Sequence, residues 1–100
     1  GQESPLALFA VTSLGVLDSL AAGSMTPTEA IAAYFNGQNT RFVKANLKSK
    51  QATEVMGRGL QLADLFDALP LAEDHRKFQH ELLAMRTLCH ELLEAERVAV

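Results

Sequence analysis

From Phe78 to Ala99 the chain repeats a four-then-three spacing of mostly apolar residues: Phe78, Leu82, Met85, Cys89 and Leu92, then Glu96 and Ala99. This is the seam of a long amphipathic helix. Such a helix buries its stripe against other helices, so the pattern predicts an all-α architecture and points to a partner chain. Val55, Gly59, Leu62, Phe66 and Leu69 repeat the same spacing, with Asp64 and Asp67 off the stripe. They predict a fourth helix over 53–69. Pro70 biases Leu69 away from α geometry, so the chain is expected to turn there before a last helix over 72–97. A connection this short makes the two helices an antiparallel hairpin with facing stripes.

Earlier in the chain, Ser4 is placed to cap a first helix over 5–22, with Pro5 in its first turn and Gly23 at its stop. Its polar residues Thr12, Ser13, Asp18 and Ser19 leave apolar groups around most of the circumference. That distribution predicts burial on more than one side and a place at the centre of the core. Gly15 costs roughly 1 kcal/mol relative to Ala inside a helix, a loss expected to be offset by a neighbouring helix approaching closely. Thr26-Pro27-Thr28-Glu29 has the form of a capping box, opening a second helix over 27–36 that Asn36-Gly37 is expected to end. A third helix, over 40–49, opens near Asn39 or Thr40, with Val43 and Leu47 inward and Arg41, Lys44 and Lys48 opposite. The whole of 1–100 reads as a single-domain bundle of four to five helices with a long C-terminal amphipathic helix, the first and last supplying most of the core.

Composition supports the helical reading. Sixteen Leu and fifteen Ala stand against six Val and one Ile, and Leu and Ala lose little side-chain freedom in a helix. The net charge of -3 argues against a general nucleic-acid binder and against attraction to anionic membranes. The apolar run from Leu6 to Ala22 is not expected to span a bilayer: a helix from Pro5 to Ala22 reaches about 27 Å and would carry Asp18 into the hydrocarbon. Cys89 is the single cysteine, so no intrachain disulfide forms, and a reducing, cytoplasmic location is expected.

His75, His80, Cys89 and His90 are the groups best able to do chemistry, and all fall on the last helix. No two of them stand three or four residues apart, as two ligands of one ion on a helix must. His90 with Glu94 supplies half a site at most, so no metal or cofactor is expected. Cys89 lies on the apolar stripe and reads as a small core hydrophobe. Glu73, Asp74, Glu91 and Glu94 face outward, Glu73 pairing with Lys77 at i,i+4, while Glu96 falls on the seam near its end. No nucleophile or base has an orienting partner, so catalysis is not expected.

Charge segregates along the chain. Five of the nine Lys and Arg lie between Arg41 and Arg58, whereas eight acids face four bases from Asp64 onward. Gly57-Arg58-Gly59 follows no strand and is a weak phosphate-turn signal. The basic face of Arg41, Lys44 and Lys48 reads first as solvated or paired within the molecule, second as a surface for an acidic protein, and third as a nucleic-acid or phosphate site. The function expected by elimination is a non-enzymatic, oligomerising protein-interaction module, an adaptor or regulatory subunit. It would form a homodimer through the C-terminal helix, and through the first helix as well, with Leu83, Leu88 and Leu93 beside the stripe as interaction residues. The alternative is a regulator that binds a small ligand or nucleic acid through the basic 41–58 segment.

Overall fold

Ser4 accepts the Ala7 N–H at 3.3 Å and Pro5 fills the first turn, so α1 (Pro5–Ala21) starts where local chemistry places it. It ends at Ala22, with Gly23 in the left-handed region at φ 76° and the Ser24 N–H returning to the Ser19 carbonyl at 2.9 Å. The computed structural model describes residues 4–67 and 72–98. Among them are α2 (Pro27–Ala33), α3 (Gly37–Asn46), α4 (Lys50–Leu60), α5 (Leu62–Asp67) and α6 (Ala72–Val98), with no strand. The molecule is an all-α bundle with a long C-terminal helix.

The capping box forms: Thr26 Oγ1 accepts from the Glu29 N–H at 3.1 Å and Glu29 accepts from the Thr26 N–H at 2.9 Å. The bond from the Thr26 N–H to the carboxylate, helped by the Thr26 side chain, holds the Glu29 pKa below its ordinary value. The next three boundaries differ from those expected. Asn36-Gly37 does not end α2, which stops at Ala33; Asn36 instead caps α3, its side chain accepting the Asn39 N–H at 2.8 Å. The third helix therefore begins at Gly37 and closes at Asn46. Lys48 takes φ 49°, a left-handed conformation disfavoured for a residue with a Cβ, and Ser49 becomes the cap of α4. The helix expected over 53–69 is two helices. The Gln61 N–H turns back to the Arg58 carbonyl at 3.1 Å, a tighter closure than the α-helical one, and α5 restarts from the Gln61 carbonyl. The turn expected at Leu69-Pro70 and the Glu73–Lys77 pair lie outside the described side chains.

Helix α6 is the spine. α1 runs antiparallel along it, with the Ser4 hydroxyl donating to Glu96 at one end and Arg86 3.5 Å from Asp18 at the other. α4 is also antiparallel to it, tied by Gln51 to Glu91 at 2.8 Å and by Arg58 to Glu81 at 2.9 Å. The two stripes face each other in part as expected: Val55, Gly59 and Leu62 are buried with Leu82, Met85, Cys89 and Leu92 from α6, whereas Phe66 of the same stripe is 42% exposed. α1 adds Phe9, Ala10, Ser13, Leu17 and Leu20. α2 packs on α5, and Phe66 of α5 meets Phe78 edge to face at 5.2 Å. Gly59 fits this core by what it lacks: a Cβ there would overlap the ring of Phe35, which is fully buried. Gly15 shows the reverse. Among the described residues nothing from another part of the chain lies within 4 Å of where its Cβ would stand, so the close helix approach expected there is not found among them.

Candidate functional site

α3 packs chiefly on α4, and between it and the N-terminal half of α1 a cleft of about 480 Å³ remains open. Pro5, Leu8, Phe9 and Thr12 form one wall, spaced so that two turns of α1 face the gap. Asn39, Phe42, Val43 and Asn46 form the other with the same spacing, and Tyr34 and Met56 also line it. No lining residue is charged. Leu8 and Phe42 stand at its rim, 50% and 60% exposed, and Val11 beside Leu8 is 58% exposed. Both wall carboxamides are anchored by their own chain: Asn39 Nδ2 donates to the Tyr34 carbonyl and Asn46 Nδ2 to the Phe42 carbonyl, each at 2.9 Å. The cleft is a preformed apolar surface of the size that takes side chains or a small molecule.

Behind it lies a closed polar cluster. The Tyr34 hydroxyl shares a 2.7 Å hydrogen bond with Ser13 and donates toward the Phe9 carbonyl at 3.4 Å. Burial pushes the Tyr34 phenol above its ordinary pKa, opposed by the Ser13 hydrogen bond. Cys89 is fully buried, and burial pushes its thiol up to about 11, again against a smaller lowering effect from Ser13. A thiol held protonated and out of contact with solvent is the opposite of an activated nucleophile.

The residues singled out in the sequence are scattered among these features. Leu83 is 58% exposed on α6, whereas Leu88 and Leu93 are half-buried against the molecule's own core. Arg41, Lys44 and Lys48 are exposed, the first two on α3 and Lys48 in the left-handed turn that follows it. Lys44 and Lys48 share a shallow groove with Lys50, Ser49, Thr53 and Glu54; Arg41 does not line it. His75 meets the Phe66 ring edge to face at 6.0 Å, His80 and His90 are exposed, and Glu94 is engaged by Arg97 at 2.8 Å. Among the described residues no three His, Cys, Asp or Glu side chains group as metal ligands do. No helix among them is long and apolar enough to cross a membrane.

Sequence reasoning did not single out Leu8, Val11 or Phe42. A signal was present for the first two, because no charged residue stands between Ser4 and Leu17 and those turns of the helix have no charged face to present to water. Phe42 gave less, lying one position off the Val43–Leu47 stripe. No family model, curated protein or solved structure matches this chain.

Proposed function

We propose that the chain is a non-enzymatic helical interaction module, an adaptor or regulatory subunit that self-associates as a homodimer. The observation that carries this reading is the outer face of α1 from Leu8 to Gly15, uncharged until Asp18, where Leu8, which lines the open cleft, Val11 and Gly15 are exposed at i, i+3 and i+7. Leu8, Val11 and Phe42 are three of the six large hydrophobics exposed among the described residues, and they gather around one feature. Knobs next to a hole suit a two-fold interface, because each copy then offers what the other lacks. Leu83 is a separate exposed point on α6, so its side of the molecule is the alternative interface.

Light scattering on three proteins tests this. The wild type should weigh as a dimer at about 100 μM, a concentration that populates even a weak small interface. Leu8→Glu should weigh as a monomer with its helical circular dichroism retained, and Leu83→Glu should remain a dimer. The reverse pattern would move the interface to α6, and a monomeric wild type would end the homodimer reading.

A second reading, a regulator that binds a ligand through the basic 41–58 segment, is favoured by the convergence of Lys44, Lys48 and Lys50 on one groove.

A further inference from the structure

The two sides of α3 have opposite chemistry: Phe42 faces the uncharged cleft, and Lys44 faces the groove that it lines together with Lys48, Ser49, Lys50, Thr53 and Glu54. Three lysines lining one groove raise the local positive potential there. Glu54, the carboxylate on this groove, is already engaged, bound by Arg58 Nε at 2.9 Å. Arg58 in turn reaches Glu81 through Nη1 at 2.9 Å, and these partners raise its pKa above its ordinary value. Among the described residues Lys44, Lys48 and Lys50 form no ion pair. The groove thus presents uncompensated cations with two hydroxyl groups beside them.

We infer that this groove binds a small phosphate-bearing anion, a polyphosphate or a phosphate monoester, an inference that rests on reading the basic segment as a ligand surface. The donor set favours phosphate over carboxylate. Lysines act as point charges that can surround a multiply charged tetrahedral group, whereas paired recognition of a carboxylate suits arginine, and the arginine beside this groove is already committed to Glu54 and Glu81. Nucleic acid fits less well. No aromatic side chain lines the groove for a base to stack on. The net charge of -3 also opposes the extended phosphate contacts that a nucleic-acid backbone requires.

Titration with inorganic pyrophosphate, followed by amide chemical shifts of the full chain, tests the inference. Shifts should concentrate on residues 44–54, and the double variant Lys44→Ala/Lys50→Ala should bind about tenfold more weakly, the equivalent of one charge-assisted hydrogen bond. Lys77→Ala, on α6, should bind as the wild type does. Equal binding by the double variant and the wild type, or shifts spread over the surface, would overturn the inference. Phosphoserine peptide and a short duplex DNA, run as parallel arms, separate the sources. Binding of the peptide at the same residues supports a phosphate monoester. Binding of the duplex alone, lost in the double variant, overturns the phosphate inference while leaving the basic-segment reading in place. Silence from all three ligands overturns both.

Discussion

Phe35 and Phe42 stand seven residues apart and end in opposite situations. Phe35 is fully buried, its ring lying where a side chain on Gly59 would be, and the space between the α2–α3 connection and α4 is closed. Phe42 is 60% exposed above a cleft of about 480 Å³, and the space between α3 and α1 is open. Each region has a glycine within a helix. At Gly59 the missing side chain lets two elements meet; at Gly15 a side chain would meet no neighbour among the described residues. The difference separates packing that this molecule closes from packing that it leaves open.

The contrast breaks most visibly at Gly59. Gly59→Ala forces a methyl group into an aromatic ring with no space to yield, and is expected to cost about 3 kcal/mol in urea unfolding. A cost under about 0.5 kcal/mol, the ordinary range for surface changes, would mean that the closed region is looser than its geometry indicates. Cys89, in the same closed core, gives a pH-dependent measure. Its thiol is raised from 9.0 to about 11, so between those values the unfolded chain loses a proton that the folded chain keeps. Stability should fall by roughly 2 to 3 kcal/mol as pH rises across that window, and Cys89 should contribute no slope below it. The difference in unfolding free energy between the wild type and Cys89→Ala, measured at both ends of the window, isolates this slope from the lysines and Tyr34. Gly15→Ala should produce the smallest change and of opposite sign, a gain of about 0.5 to 1 kcal/mol in the monomer, because Ala is the better helix former and meets no neighbour. Melting at low and high protein concentration sharpens this: if a second copy crosses α1 at Gly15, the gain at low concentration turns into weakened association at high concentration.

What could be read from the sequence follows the range of the forces involved. Ser4 and Thr26 cap helices through bonds three residues long, so their roles were visible in a few letters. Asn36 and Ser49 use bonds of the same length, but Asn-Gly also ends helices and Ser49 was claimed by the helix before it. Which role each takes depends on the turns at Tyr34 and Lys48. The break at Gln61 was hidden because Val55, Gly59 and Leu62 remain buried across it, so the apolar period continues while the hydrogen bonding does not. The cleft was least legible. Its walls have ordinary helical spacing, and only the separation of α1 from α3 makes them a cavity. The basic segment was legible as charge, but the meeting of Lys44 and Lys48 with Lys50 depends on the left-handed turn at Lys48.

The place of α6 between α1 and α4 also bears on the order in which the molecule assembles. The bonds from α4 to α6 close loops of 23 residues, Arg58 to Glu81, and 40 residues, Gln51 to Glu91, while Ser4 reaches Glu96 across 92. Loop-closure entropy rises with the logarithm of length, so the longest closure costs about 1.2 kcal/mol more than the shortest. On loop closure alone the α4–α6 hairpin is therefore the cheaper nucleus, and α1 is the helix that docks last. Under native conditions its amides should exchange with solvent ahead of those where α4 and α6 meet. Exchange protection in α1 that matches the global unfolding free energy would show docking to be fully cooperative. The helix that exposes Leu8 and Val11 is in this way also the one held by the most distant contacts, and a partner seated on those two residues would stabilise the last step of folding.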